Sequence, residues 1–203
     1  NNYAFQSGSL HTAELAAIED SFTLTGTVVP KNLVRVTPPV NGLQIMEMRV
    51  EAGDRVEAGQ VLAVLDSSVL RAQLEQVKAN LAQAKTEVQQ QTAVLTQAQV
   101  LHQAAIVDVN RYSSLFESGA ISQEQLGDRQ VQALSARQQV AVTLSKIESA
   151  QANIASKAAD INRTEALLAQ TTITAPVAGT VAERLTSIGD AVNVGSPIYS
   201  LIE

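Results

Sequence analysis

The sequence predicts an α+β protein in which one small β domain, assembled from two sequence halves, is split by a long antiparallel coiled-coil α-hairpin. Two observations carry that prediction. One motif is written twice. Its first copy runs Thr37-Pro38-Pro39-Val40-Asn41-Gly42, then Gly53-Asp54-Arg55-Val56-Glu57-Ala58-Gly59, then Val61-Leu62-Ala63-Val64-Leu65. Its second runs Thr174-Ala175-Pro176-Val177-Ala178-Gly179, then Gly189-Asp190-Ala191-Val192-Asn193-Val194-Gly195, then Ile198-Tyr199-Ser200-Leu201-Ile202. Glycine falls on glycine at three places, with a single deletion between the first and second. The other observation is what lies between the copies, a long segment in which apolar residues recur at alternating spacings of four and three.

Composition narrows the possibilities. Only 3% of the 203 residues are aromatic and none is Trp, which argues against a large globular core, while Ala, Gln and Leu dominate the middle as in long helices. A net charge of -6 argues against a nucleic-acid partner, whose phosphates call for a basic face. Without Cys there is no disulfide, thiolate metal site or thiol nucleophile, a composition compatible with an oxidising compartment. No run of eighteen apolar residues could span a bilayer. The chain starts at Asn1 without a signal-peptide pattern, and it reads as a piece of something longer with any membrane anchor outside it.

Taken in order, residues 1–22 read as a flexible N-terminal segment and 23–33, around Thr25-Gly26-Thr27-Val28-Val29-Pro30, as a lone strand. In the first half, 34–66, the stretch Gln44 to Val50 alternates only partly, through Ile45, Met46, Met48 and Val50. Val61 to Leu65 is a continuous apolar run of the buried-strand type. Gly42 and Gly179 each follow Pro-Val-x, where a reversal calls for a residue tolerant of positive φ. Gly53-Asp54 and Gly189-Asp190 have the chemistry of tight turns, echoed at Gly59 and Gly195.

Residues 67–171 supply the hairpin. In the first arm the seam runs Leu70, Leu74, Val77, Leu81, Ala84 and Val88, then less strictly Leu95, Ala98, Leu101, Ala105, Val109 and Tyr112. In the second, Ala133, Val140, Leu144, Ile147, Ile154, Ala158, Ile161 and Leu168 form a four-three ladder, with Arg137, Gln151 and Glu165 on the remaining rungs. At the tip, about 116–122, Gly119 suits a helix C-terminus, and Ser122 with Gln125 makes a capping box that starts the next helix. So short a connection forces the arms antiparallel. Residues 172–203 repeat the first half. Neither half could bury a core alone, so pairing into one flattened barrel or sandwich is expected, which sets the end of the second arm beside the start of the first.

The duplicated Gly-x(n)-Gly-Asp-x-Val-x-x-Gly pattern resembles the two halves of a lipoyl or biotinyl carrier domain. In such carriers a short hairpin presents a modified Lys. Here Asp66-Ser67-Ser68-Val69-Leu70-Arg71 leads into a helix and the nearest Lys is Lys78, so the attachment residue is absent. A lipoyl-like domain split by a helical hairpin resembles the periplasmic adaptors, or membrane fusion proteins, of the HlyD-like family, over about residues 23–203. Arg111, Leu115 and Ser122 fit that family's Arg-x3-Leu-x6-Ser tip motif. The resemblance implies a non-enzymatic subunit in the periplasm, anchored to the inner membrane by a segment absent here. It would link an inner-membrane transporter, ABC or proton-driven, to a TolC-type outer-membrane channel. It also implies self-association into a ring, a hexamer in the assembled complex, whose tips meet the duct. Within the family, 23–33 corresponds to the first strand of a β-barrel left without its sheet.

Each singled-out residue has a plainer role beside the functional one. Arg111 could complement a helix dipole, Leu115 could end the seam, and Ser122 could serve only as a cap. Met46 and Met48 are two thioethers without a third soft ligand, a pattern that fits core better than a metal site. His11 and His102 have no ligand-spaced partner. No catalytic constellation is evident: Asp108 and the Glu residues lie along a helical rod, and no cofactor is implied. The competing readings are a carrier domain, which the missing Lys opposes, and a purely structural coiled-coil spacer, which would need neither the duplication nor the tip motif.

Overall fold

In the computed structural model, which describes residues 32–203, the two motif copies interlock strand by strand. The first half contributes β1 (Leu33–Val36), β2 (Ile45–Met48), β3 (Arg55–Val56) and β4 (Val61–Leu65). Helices α1 (Ser68–Glu117) and α2 (Gln123–Ala169) follow, then β5 (Thr172–Thr174), β6 (Gly179–Arg184) and β7 (Tyr199–Ile202). One sheet has the order β1-β7-β6-β3 and the other β2-β4-β5, with every pair antiparallel. In the first sheet the central strands β7 and β6 come from the second half and their neighbours from the first. The second sheet inverts this, taking β5 from the second half, and an isolated bridge between Gln44 and Ala191 stands where a fourth strand would be. The predicted N-terminal segment, 1–22, and residues 23–31 of the lone strand lie outside the described residues; Leu33 belongs to β1 and pairs with Ile202.

Loop hydrogen bonds repeat the exchange. Gly53 N–H donates to Val181 O and Gly189 N–H to Ile45 O, each at 2.8 Å, so the Gly-Asp turn of each half closes on a strand of the other. The Asp of each pair completes its own turn: the carboxylate of Asp54 accepts from Glu51 N–H and that of Asp190 from Ser187 N–H, both at 2.8 Å. Between the sheets Ile45, Leu62, Leu65, Ile198, Tyr199 and Leu201 are fully buried, each contributing about 1.5–3 kcal/mol by removal from water. The phenol of Tyr199 stays satisfied there by donating to Val50 O at 3.1 Å. The imperfect alternation of Gln44 to Val50 has a cause: the β2–β4 register slips between Ile45 and Glu47, which turns Met46 outward. Met46 is 55% exposed, so the expectation of core holds only for the half-buried Met48.

One glycine is needed for a different reason than its motif position suggests. Gly42 takes φ +77°, but Gly179 is not left-handed. An added Cβ there would stand 2.4 Å from the carbonyl oxygen of Ile202, so close strand approach is what excludes a side chain.

The hairpin extends about 75 Å at 1.5 Å per residue over the 50 residues of α1. Its first arm holds a stricter ladder than the apolar residues alone indicate: Gln91 and His102 complete the rungs, and Leu101 is 58% exposed. In the second arm Ala133, Val140, Ile147, Ile154, Ile161 and Leu168 lie on the seam as expected. Most intervening rungs do not: they are Ala136, Thr143, Ala150 and Thr164, not Arg137, Leu144, Gln151 and Glu165, while Lys157 and the expected Ala158 are both half-buried. Two interleaved spacings share every seventh residue, and the apolar Leu144 pointed to the wrong one. Thr143 and Thr164 can be buried because each hydroxyl donates to a carbonyl four residues back, Gln139 O and Asp160 O, both at 2.8 Å. At the base, Asp66, just ahead of the N-cap Ser67, accepts from Ser68 N–H at 2.9 Å and so turns the chain into α1. Leu65 N–H donates to Thr171 O at 2.8 Å, which ties the entry of the hairpin to its exit.

Candidate functional site

The tip forms where α1 must stop and α2 must start within five residues. Gly119, at φ +76°, follows the C-cap Ser118; its N–H donates to Phe116 O and Ala120 N–H donates to Leu115 O, each at 2.9 Å. This pair of bonds satisfies the last carbonyls of α1 and turns the chain sharply. Two residues later Ser122 Oγ accepts from Gln125 N–H at 3.2 Å, and the Gln125 side chain accepts from Ser122 N–H at 3.0 Å. The reciprocal box starts α2 at once.

The three sequence-predicted residues occupy this end of the rod. Arg111 and Leu115 are four residues apart and share a face of the last turns of α1. The Arg111 side chain is 63% exposed and ion-paired with Asp108 one turn back. Leu115 is 37% exposed and its neighbour Phe116 40%, so two large apolar side chains stand open beside the turn. Ser122 is exposed on the far side of the loop; its oxygen is engaged as a cap acceptor, and its hydroxyl proton remains available as a donor. The tip therefore offers a multidentate cation, an apolar ridge and hydroxyl groups on a rigid turn, suited to the polar ends and side chains of another helical protein.

A second constellation lies one turn below, and only part of it was evident from sequence. Arg129 of α2 sets its guanidinium carbon 4.6 Å from the ring centre of Tyr112, and its Nη2 donates to Tyr112 Oη at 3.1 Å. The signal available for Arg129 was its spacing, three after Leu126 and four before Ala133 on the ladder of α2. Elsewhere, open clefts flank the arms, one of about 590 Å³ lined by Glu87, Gln91, Lys146, Ser149, Ala150 and Asn153. Among the described residues no group of three or more His, Asp or Glu is placed to hold a metal ion, and no helix is long and apolar enough to cross a membrane.

With this geometry in view, the comparisons with known proteins are consistent. Residues 32–202 match the family model described as the RND MFP, barrel-sandwich hybrid domain. The fatty acid resistance protein FarA of Neisseria gonorrhoeae is 30% identical over 193 residues, covering 86% of this chain and 49% of FarA. The multidrug resistance protein MdtA of Shigella boydii is 32% identical over 184 residues, covering 91% and 37%. Among solved structures, MacA from Actinobacillus actinomycetemcomitans aligns with a TM-score of 0.55 at 27% identity, covering 85% of this chain and 49% of that one. The soluble domain of LipC, a membrane fusion protein of a type I secretion system, shares the fold at a TM-score of 0.52 and 15% identity, covering 85% of this chain and 100% of LipC's. The chain spans about half or less of the length of the curated relatives it matches. Two interlocked lipoyl-like halves around an inserted hairpin, together with a family match across nearly all the described residues, place this chain in the RND membrane fusion protein family, as its barrel-sandwich hybrid domain.

Proposed function

We propose that the chain belongs to a non-enzymatic periplasmic adaptor, and that the hairpin tip is its docking end for a TolC-type outer-membrane channel. The observation that carries this reading is the placement of Arg111, Leu115 and Ser122. All three are exposed at the only turn of a rod about 75 Å long, where contact with a partner is end to end. The β domain sits at the other end, toward an inner-membrane transporter. The match to the RND MFP family model favours a transporter of RND type, and the names FarA and MdtA favour export of fatty acids or drug-like molecules. A ring of protomers, a hexamer in the assembled complex, would multiply each weak tip contact.

Photocrosslinking in the native host tests the polarity of this arrangement. A photoreactive residue at Ser118 in the full-length protein is expected to capture the outer-membrane duct, and one at Asp54 in the β domain is not. Equal capture from both positions, or none from Ser118, would refute end-on docking.

A further inference from the structure

We infer that Tyr112 and Arg129 form a brace across the two arms that positions Arg111 for docking, an inference that rests on the tip's proposed role. Arg129 occupies a seam rung of α2, between Leu126 and Ala133, where a coiled coil favours an apolar side chain. A half-buried cation on a seam is tolerated only when its charge and donors are engaged. Here they are: Nη2 donates to Tyr112 Oη at 3.1 Å, Nη1 donates to Gln132 Oε1 at 3.2 Å, and the guanidinium lies over the Tyr112 ring.

The same ring serves the docking residue. The guanidinium carbon of Arg111 lies 5.8 Å from the centre of the Tyr112 ring, and Arg111 is held on its own helix by Asp108. One aromatic ring thus takes a cation from each arm, and the arm that carries no part of the Arg111–Leu115 face fixes the platform on which Arg111 rests. A directional bond at a seam position selects one register of two helices at a cost in stability. A side chain already confined loses less freedom when its partner arrives. Arg129 is accordingly a positioning residue, and its value lies in the geometry of the tip, not in the stability of the hairpin.

Variants of the full-length protein separate these roles, with crosslinking from Ser118 to the host's TolC-type duct and thermal unfolding followed by circular dichroism as readouts. Arg129→Leu restores an apolar rung. It is expected to melt at or above the parent's temperature and to crosslink no better than Arg111→Ala. Arg129→Lys keeps the charge without the fork, and it is expected to lose crosslinking at an unchanged melting temperature. Tyr112→Phe, which keeps the ring and loses the oxygen acceptor, should fall between parent and Arg129→Leu. Parent-level crosslinking by Arg129→Leu while Arg111→Ala fails would overturn the brace and leave tip docking intact. A lower melting temperature in Arg129→Leu would equally overturn it, by showing that Arg129 stabilises the seam. Parent-level crosslinking by Arg111→Ala would remove the docking role and the brace with it.

Discussion

Thr143 and Leu144 are neighbours in the chain and opposites in the hairpin: Thr143 is 1% exposed on the seam, and Leu144 is 49% exposed beside it. The small hydroxylated residue is the one enclosed, because its hydroxyl is bonded to Gln139 O and it fits where the two helices approach. A leucine left half in water contributes little to holding the arms together.

Leu144→Ala is therefore expected to change stability by no more than about 0.5 kcal/mol. Leu74→Ala removes a side chain only 9% exposed and should cost about 2–5 kcal/mol, at the lower end if the rod relaxes around it. Urea denaturation of both variants checks the assigned register.

Two glycines should respond to alanine with opposite sign. At Gly179 the new Cβ would meet Ile202 O at 2.4 Å and Ile202 C at 3.1 Å, both backbone atoms of the paired strand β7. The strands must then part, and a loss of about 1–3 kcal/mol is expected. Gly127, inside α2, has no atom within 4 Å of the added Cβ, so Gly127→Ala should gain about 0.5–1 kcal/mol. Thermal midpoints of the two variants give the signs directly.

Both ends of the pH profile have an identifiable residue. Burial, reinforced by the nearby Glu51 carboxylate, pushes the Tyr199 phenol above its ordinary value of 10.0. Above pH 10 the unfolded chain ionises there while the folded one keeps its proton, so stability falls as pH rises through the folded value. Tyr199→Phe should flatten that alkaline limb while losing about 1 kcal/mol at neutral pH with its hydrogen bond. The Asp66 carboxyl is lowered from 3.8 by the hydrogen bonds it accepts from Ser68. Its contribution is full above that value and is lost as pH falls through the folded one, so Asp66→Asn should flatten the acid limb. Urea midpoints measured across pH test both.

The β domain should survive without its insertion. Leu65 and Thr171 are hydrogen-bonded at 2.8 Å where the chain leaves and re-enters, so a short Gly-Ser linker in place of residues 67–171 spans the gap without strain. The expected product unfolds cooperatively. Gradual, non-cooperative unfolding would mean that the interlocked halves depend on the hairpin.

What could be read from the sequence follows from how local each signal is. Gly119 and the Ser122–Gln125 box act within a few residues of themselves, and the tip geometry follows from them almost alone. The duplication of Gly53-Asp54 at Gly189-Asp190 announced that two halves share one domain. It could not show that each turn would close on a strand of the other half. The seam of α2 was half legible, because hydrophobicity favours Leu144 whereas burial follows shape and hydrogen bonding, which admit Thr143 and Thr164. The need for Gly179 arises from a strand more than twenty residues away, and the partnership of Arg129 with Tyr112 depends on the register of two helices. No single segment encodes either one.

Export by the full-length protein carrying Arg111→Ala together with Leu115→Ser, in a host lacking its own copy, tests the docking role of the tip most directly. Both side chains are exposed, so thermal unfolding should stay close to that of the parent, within about 0.5 kcal/mol. Export is expected to fall to the level of the host without the protein. Normal export by a stably folded double variant would contradict the assignment of the tip as the docking end.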